Sequence, residues 1–270
     1  MNRDSEFKKK RILISGGSSG IGLALAKKFF TLENDIFILG RNEDRLSDAV
    51  SEIEKYRQSH SQKLTCISAD VRKFSKLKDS LRNVNDIDVL INSAGITYPG
   101  RFLDLEPEIF EDVITTNYLG TVYLSKLIAP LMVKQKSGYI VNLSSLAALV
   151  GIFGYTAYAP SKYAIRGFSR CLRAELKPHG IDVSVVLPPD TDTPQLEFER
   201  SIMPETTKRI NSSAGKMDPD DVAEIIIRGM EKKKFSIIPG MEGKLLCLFA
   251  PVIGRYLFRY AVREEGKIIK

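Results

Sequence analysis

A tyrosine and a lysine stand four residues apart in the stretch TAYAPSKYAIRG, residues 156–167. On a helix, Tyr158 and Lys162 share one face, close enough for the ammonium group to act on the phenol. A free phenol has a pKa of about 10, and a neighbouring cation lowers that value by favouring the ionised form. The pair therefore predicts a tyrosine that works as a general acid or base. A lone Tyr-x-x-x-Lys is more often a packed tyrosine beside a solvated lysine, so further residues must support this interpretation.

A glycine-rich turn lies between the first predicted strand and the first predicted helix, in SGGSSGIG at residues 15–22. Its glycines, Gly16, Gly20 and Gly22, permit a tight turn and a close approach of backbone to a pyrophosphate. The helix N-terminus would then face the phosphates. The spacing G-x-x-x-G-x-G differs from the G-x-G-x-x-G of the dinucleotide fingerprint. We expect this turn to hold a dinucleotide cofactor, with Ser18, Ser19 and Ile21 among the contacts.

Short apolar runs alternate with longer helical patterns along the chain. The runs at 12–15, 35–39, 64–69, 89–92, 139–143, 183–187 and 235–238 predict strands buried on both faces. The segments 20–31, 43–57, 74–83, 107–136, 158–177 and 218–232 predict helices. This alternation predicts an α/β fold, a single doubly wound Rossmann-type domain with a mostly parallel seven-stranded sheet. We expect a catalytic domain over residues 1–241, a substrate lid at about 188–217, and an extension over 242–270.

Composition excludes several classes of protein. The 270 residues are 43% hydrophobic and 27% charged, which is typical of globular chains. The net charge is +7, but its densest run, KKKR at 8–11, has no interleaved aromatic residues, so nucleic acid is not expected as a partner. Three scattered cysteines and two histidines predict neither disulfides nor a metal site. The N-terminal segment lacks the apolar core of a signal peptide, and we expect a cytoplasmic protein.

Several motifs together resemble the short-chain dehydrogenase/reductase family, over roughly residues 10–235. The glycine-rich turn is followed by INSAGI at 91–96, similar to the family's N-x-A-G, and by Asn117 in TTNYLG. Ser145, Tyr158 and Lys162 match the family's catalytic set. The sequence departs from the family at Ser93, where a second asparagine is usual. Pro160, between the tyrosine and the lysine, requires a helix that begins at about Thr156 or later, because first-turn amides are unpaired.

The resemblance implies a role for each of these residues. Tyr158 gives a proton to the carbonyl oxygen of a ketone while a nicotinamide gives hydride to its carbon, and Lys162 lowers the phenol's pKa and binds the nicotinamide ribose. Ser145 donates a hydrogen bond to the substrate oxygen, with its neighbour Ser144 as an alternative donor. Asn117 holds a water that relays protons to Lys162. Further implied cofactor contacts are Asp70, Val71, Asn92, Ala94, Gly95, Pro188 and Thr193.

The end of the second predicted strand indicates which cofactor is used. An acidic residue there binds the ribose hydroxyls of NAD, but the sequence IFILGRNEDRL, 36–46, has Gly40 and Arg41. Arg41 can pair bidentately with a 2′-phosphate, and Arg45 can assist. The sequence therefore favours NADPH/NADP+. Two solvated arginines at a helix start, without a role in cofactor binding, would give the same sequence pattern.

Two segments bear on the substrate. PPDTDTP at 188–194, IFGYTAY at 152–158 and KYAIRG at 162–167 resemble the 3-ketosphinganine reductase branch of the family. That substrate carries an amine beside its ketone, so Asp190 and Asp192 become candidate partners for the ammonium group. Loop drift within the family would leave other substrates open, such as a steroid, an acyl compound or a small ketone. A non-catalytic NADPH-sensing protein is the alternative outside enzymes, disfavoured by the complete catalytic set.

The C-terminal stretch GKLLCLFAPVIGRYLFRYAVREEG, 243–266, is apolar and basic. Its charge-free run over 245–254 is shorter than the roughly 20 residues that span a bilayer. Arg255, Arg259 and Arg263 fall on one helical face, which suits a helix lying in a membrane interface through residues 243–263. A helix packed on the domain or on a second copy fits equally well. We also expect a homo-oligomer.

Overall fold

The computed structural model describes residues 6–212 and 215–268. Its centre is one sheet of seven parallel strands in the order β3-β2-β1-β4-β5-β6-β7. The strands are β1 Arg11–Ser15, β2 Asp35–Gly40, β3 Leu64–Ser68, β4 Val89–Asn92, β5 Gly138–Leu143, β6 Ile181–Val186 and β7 Ser236–Ile237. The predicted doubly wound α/β fold is therefore confirmed, and all seven strands are parallel.

Helices cover both faces of this sheet, and others lie at the carboxyl ends of its strands. They are α1 Gly20–Phe30, α2 Glu43–Glu54, α3 Phe74–Ser80, α4 Pro107–Ile114, α5 Gly120–Gln135, α6 Tyr158–Leu176, α7 Pro194–Ile202, α8 Glu205–Asn211, α9 Pro219–Glu231 and α10 Met241–Ile268. Side chains that accept hydrogen bonds from first-turn amides fix three of the starts, with Asn42 before α2, Thr193 before α7 and Asp218 before α9.

The inner strands are mostly apolar because helices cover both faces of the sheet. The edge strand β3 departs from the prediction of burial on both faces, since its Thr65, Cys66 and Ser68 are exposed. In β1, Ile12 and Ile14 enter the core shared with α1 and α9, whereas Leu13 enters the opposite core beside α5. All three side chains are fully buried. Successive strand residues point to opposite faces, so a strand between two helical layers needs apolar residues at every position.

The sheet brings the ends of β1 and β4 together at the point where the strand order reverses. β1 pairs with β2 on one side and with β4 on the other. The chain therefore leaves β1 and β4 toward opposite halves of the sheet, and a crevice opens at their carboxyl ends. The residues that follow β1, β4, β5 and β6 all meet at this crevice.

Two sequence predictions need correction. The segment 107–136 is not one regular helix, since a π-helical turn, Thr115–Leu119, separates α4 from α5. The segment 188–217, expected to form a substrate lid, contains two helices, α7 and α8, that the sequence did not predict. Residues 213 and 214 of that lid lie outside the described residues, as do 1–5 and 269–270 of the predicted domain and extension.

Candidate active site

An open cleft of about 210 Å³ lies at the carboxyl ends of the strands. One end is formed by the turn after β1, and the other by the residues before α6 and by the lid helices. Of the residues selected from the sequence, the cleft is lined by Gly16, Ser19, Gly20, Ile21, Ala94, Gly95, Ser144, Ser145, Tyr158, Lys162, Pro188, Asp190 and Thr193. One cavity thus joins the predicted cofactor turn to the predicted catalytic residues.

Tyr158 is the first residue of α6, and Lys162 follows one turn later. Pro160 therefore occupies the first turn, where its missing N–H removes no helical hydrogen bond. The Lys162 Nζ atom lies 5.5 Å from the centre of the Tyr158 ring. The structure places the two side chains side by side at the cleft, as the spacing predicts.

The expected lowering of the Tyr158 pKa is not what the structure gives. Burial raises the pKa of Tyr158 to about 12, against a lowering by its hydrogen bond with Ser145. Burial also lowers the pKa of Lys162 to about 8. The Lys162 ammonium donates to the Leu143 carbonyl, with a 3.1 Å distance, and lies over the phenol ring rather than on its oxygen. In the protein alone, desolvation therefore dominates both groups.

The two neighbouring serines differ in what their hydroxyl groups bind. Ser144 is buried, and its Oγ donates to the Lys162 carbonyl over 2.8 Å. That bond uses the one hydroxyl proton of Ser144 to hold α6 against the end of β5. The Ser145 Oγ instead accepts the Ala147 amide at 3.1 Å, and its hydrogen bond with Tyr158 places it beside the phenol. Ser145 is the better placed donor toward a substrate oxygen.

Asn117 lies in the π-helical turn and is completely buried. Its Oδ1 accepts the Ile96 amide, and its Nδ2 donates to the Ile96 carbonyl and to the Ser161 hydroxyl, over 2.8, 2.9 and 2.9 Å. π-Helical turns are frequent at functional sites, and this one carries the asparagine selected from the sequence. The side chain ties the end of β4 to α6, which fixes the position of Lys162.

The glycines of the cleft leave room that larger residues would fill. A Cβ on Gly16 would lie 2.9 Å from the Ala94 backbone, and one on Gly22 would lie 2.2 Å from the Gly16 carbonyl. Gly16 also has a φ of 68°, which favours glycine. A Cβ on Gly95 would lie 3.2 Å from the Asn117 Oδ1 and 3.5 Å from the Lys162 Nζ. This backbone cradle and the start of α1 fit the pyrophosphate and nicotinamide of a dinucleotide.

The end of β2 has the basic character expected of an NADP site. Arg41 and Arg45 are both exposed at the junction of β2 and α2. A Cβ on Gly40 would lie 3.5 Å from the Ser18 Oγ, so the glycine-rich turn and this junction adjoin. Asp70, after β3, forms a two-oxygen ion pair with Arg72, and Arg41 acts electrostatically on the same carboxylate.

Nine of the residues selected from the sequence do not line the cleft, namely Ser18, Gly22, Arg41, Arg45, Asp70, Val71, Asn92, Asn117 and Asp192. The Asn92 side chain is buried and donates to Asn142 between β4 and β5. The Val71 side chain packs against Gly120 at the start of α5. Asp192 points outward, with 67% of its side chain exposed and an ion pair of 3.1 Å to Lys216. Of the two acids offered as partners for the substrate amine, Asp190 lines the cleft and Asp192 does not, and contact of either acid with an amine stays a prediction.

Sequence reasoning missed several polar residues of the cleft, and three of these form one hydrogen-bonded group. Tyr155, Glu199 and Asn211 line it from the segment before α6, from α7 and from α8. The Tyr155 hydroxyl donates to the Glu199 carboxylate, and the Asn211 Nδ2 donates to the Tyr155 oxygen at 3.2 Å. The spacing of Leu196 and Glu199, three residues apart, was a sequence signal for Glu199. Both residues are buried on one face of α7.

The C-terminal segment forms α10, which is kinked at Phe249 and exposed along much of its length. Its apolar exposed residues are Met241, Leu245, Leu248, Phe249, Val252, Tyr256, Phe258, Val262 and Ile268. Within the described residues it is also the one helix long and apolar enough to cross a membrane, judged by length and composition. The sequence analysis considered only the charge-free run over 245–254 and so did not identify the longer segment as a candidate membrane span. Near its end, Glu264 pairs with Arg209 of α8 and Glu265 with Arg101.

Comparisons with known proteins show which family the chain resembles. The family model described as short chain dehydrogenase matches residues 10–202. A 3-ketodihydrosphingosine reductase from Bos taurus is 37% identical over 89% of this chain and 75% of its own length, and a 3-dehydrosphinganine reductase from Danio rerio is 36% identical with the same coverage. The Xenopus laevis dehydrogenase/reductase SDR family member 7B is 33% identical over 85% of this chain and 74% of its own length.

The solved structures similar to this chain have the same fold. A short-chain dehydrogenase from Sphingobium yanoikuyae in complex with NADPH has a TM-score of 0.77 and 26% identity, and the match covers 92% of this chain and 95% of that one. The glycine cradle, the paired Tyr158 and Lys162 and the family match all lead to one conclusion. The chain belongs to the short-chain dehydrogenase family.

Proposed function

We propose that the protein is an NADPH-dependent reductase that converts 3-ketosphinganine to sphinganine. The observation that carries this proposal is the single cleft in which Ser145, Tyr158 and Lys162 adjoin the glycine-rich turn. A binding protein without catalytic activity would not need a proton donor, a hydroxyl donor and a buried cation around one point. The oxidoreductase class of the family agrees with this arrangement.

Each catalytic residue has a defined task in the proposed reaction. Bound NADPH supplies a hydride for the carbonyl carbon. Tyr158 gives its phenolic proton to the carbonyl oxygen, so that ketone, hydride and proton balance as an alcohol. Ser145 donates a hydrogen bond to the same oxygen and stabilises the negative charge that develops there. Lys162 provides a positive charge under the phenol, which favours the phenolate that remains.

Asn117 acts through Lys162 in this proposal. Its side chain is already satisfied by Ile96 and Ser161, so it holds the lysine in place from beneath. The predicted role in a proton-relaying water chain stays a prediction, and Ser144 is proposed as a support of α6 rather than as a substrate donor.

The substrate class rests on the relatives and on the character of the cleft. The Bos taurus and Danio rerio proteins are named for reduction of this keto lipid. Ala147, Ile152 and Leu196 give the cleft an apolar side, suitable for the first carbons of an alkyl chain. Asp190 lines the same cavity, and burial raises its pKa. An acidic group beside an apolar wall suits a lipid that carries an amine next to its ketone.

The exposed face of α10 suits contact with a membrane surface. Leu248 and Phe258 are 71% and 68% exposed, and Arg255, Arg259 and Arg263 are exposed on the same helix. Apolar side chains with flanking arginines favour the interface of an anionic bilayer, where a lipid ketone would also reside. The cytoplasmic location and the homo-oligomer stay predictions.

A turnover assay with a panel of ketones tests the function. Oxidation of NADPH is followed with 3-ketosphinganine, a steroid ketone, a 3-ketoacyl thioester and a small ketone, and each is repeated with NADH. We expect the highest kcat/KM for 3-ketosphinganine with NADPH. A higher value for another ketone would reassign the substrate, and cofactor binding without turnover of any ketone would favour the NADPH-sensing alternative.

A further inference from the structure

Glu199, a second acid in the cleft, is better placed than Asp190 to bind a positively charged group. Glu199 lies on α7 with 8% of its surface exposed, and it lines the same cavity as Tyr158. Its carboxylate accepts a hydrogen bond from Tyr155, whose oxygen is in turn bound by Asn211. Within residues 6–212 and 215–268, no lysine, arginine or histidine nitrogen lies within 4.0 Å of the carboxylate. A buried carboxylate that is hydrogen-bonded but lacks a cation is a site prepared for one.

The Glu199 site is attached directly to the catalytic tyrosine. The rings of Tyr155 and Tyr158 are in contact, with centroids 5.7 Å apart. The Tyr155 carbonyl also accepts the Ala159 amide at 2.9 Å, which fixes Tyr155 to the first turn of α6. A cation bound at Glu199 would therefore lie next to a carbonyl held by Tyr158. In a 2-amino-3-ketone, only three bonds separate the amine nitrogen from the ketone oxygen.

We infer that Glu199 binds the ammonium group beside the ketone of the substrate, and that Tyr155 holds the carboxylate in place. The inference rests on the proposed function, because it is the proposed keto lipid that carries this amine. Asp190 lines the same cavity but is less buried than Glu199, and the charge of Arg200 acts on both carboxylates. Three N–H donors of the ammonium allow it to contact Glu199 and the Tyr155 oxygen together.

The energetics of burial agree with this assignment. Burial raises the pKa of Glu199 to about 7, opposed by the charge of Arg200, so the empty site holds its negative charge weakly. An ammonium group would restore that charge and form a charge-assisted hydrogen bond. A neutral ketone of the same length would gain nothing from the carboxylate. Glu199 thereby becomes a residue that determines specificity between amino ketones and plain ketones.

The test compares 3-ketosphinganine with the same ketone lacking its amine. Glu199→Gln keeps the size and the acceptor for Tyr155 but removes the charge. We expect the ratio of kcat/KM values, amino ketone over plain ketone, to fall about tenfold to a hundredfold, mainly through KM. Glu199→Asp keeps the charge and should retain more of the ratio than Glu199→Gln. Glu197→Gln removes an exposed charge from the same helix and should leave the ratio as in wild type.

The outcomes separate this inference from the proposed function. If wild type prefers the amino ketone and Glu199→Gln keeps the wild-type ratio, Glu199 does not bind the amine, and the proposed function stands. If Asp190→Asn loses the preference for the amino ketone and Glu199→Gln keeps it, Asp190 binds the amine instead of Glu199, and the proposed function again stands. A wild-type enzyme that reduces neither compound overturns the proposed function and this inference together. Tyr155→Phe provides a second check if Glu199→Gln does not fold, because loss of the hydroxyl should lower the ratio in the same direction.

Discussion

Tyr158 combines a position that suits proton donation with a burial that keeps its proton in place. A phenol with a pKa raised to about 12 stays protonated at neutral pH, which suits an acid that acts only when an alkoxide forms beside it. The cation of Lys162, under the same ring, then favours the phenolate that the reaction leaves. Burial thus favours the protonated phenol before the proton transfer, and the charge of Lys162 favours the phenolate after it.

Replacement of Tyr158 by phenylalanine tests the proton donor. The variant keeps the ring that packs on Tyr155 but has no proton to give, so kcat should fall at least ~10²-fold. Binding of NADPH, measured by fluorescence titration, should remain close to wild type. Near-normal turnover would show that another group supplies the proton.

The pH profile tests the charge of Lys162. Its pKa of about 8 means that the ammonium is present at neutral pH and is lost as the pH rises through 8. We expect kcat/KM for ketone reduction to decline above about pH 8, because this parameter follows ionisations of the free enzyme. A profile that stays level to pH 9.5 would contradict a role for the ammonium charge. Thermal unfolding over the same pH range would identify losses that reflect unfolding.

The residues predicted from sequence are those that a local pattern marks. Tyr158, Lys162 and the glycines fall within short stretches whose spacing has a physical purpose. Glu199 lies 44 residues after Tyr155 along the chain, and only the folding of the lid brings the two together. Asp192 stands next to Thr193 in the sequence, yet only Thr193 lines the cleft.

At the scale of elements, the strands were the most predictable part. Continuous apolar runs between helices have few alternatives to a strand in a parallel sheet. The π-helical turn at Thr115–Leu119 was not predictable, because helical periodicity continues through it on both sides. The lid helices α7 and α8 were missed because both are short and polar on their outer faces. Their buried residues meet partners far along the chain, such as Glu265 of α10 for Thr206, and local sequence patterns do not include such contacts.

The junction of β2 and α2 is where we expect the cofactor to be selected. Arg41 is exposed where β2 ends, beside the glycine-rich turn. Loss of a charge-assisted pair with the 2′-phosphate costs roughly 1.5–3 kcal/mol, so Arg41→Ala should weaken NADPH binding by about one to two orders of magnitude. NADH, without that phosphate, should be affected much less, and Arg45→Ala should give a smaller loss. Titration of both cofactors measures the difference, and equal losses for NADPH and NADH would mean that Arg41 acts on the fold.

At the scale of the whole molecule, α10 joins the exposed apolar surface to the lid. Its exposed face includes Leu248 and Phe258, whereas its buried Glu264 pairs with Arg209 of α8, and Glu265 accepts from Thr206 of the same helix. α10 therefore packs on the rest of the domain along one face only, although the sequence also allowed a helix packed entirely on the domain. The other face leaves large apolar side chains in water, which in soluble proteins often marks an interaction surface. The lid helix is thus attached to the part of the molecule proposed to meet a membrane.

Vesicle binding tests the surface of α10. We expect wild type to sediment with vesicles of phosphatidylcholine and phosphatidylserine, less with phosphatidylcholine alone, and less again at high salt, because the arginines of α10 attract anionic lipid. Replacing both Leu248 and Phe258 by serine removes two side chains that a membrane would bury, each contributing about 1.5–3 kcal/mol when fully buried. The double variant should bind vesicles at least about tenfold more weakly, whereas Tyr56→Ser, an exposed apolar residue just after α2, should bind like wild type. Equal vesicle binding by wild type and the double variant would contradict the proposal. A double variant that instead loses concentration-dependent self-association, measured by analytical ultracentrifugation, would assign the α10 surface to a second copy of the chain.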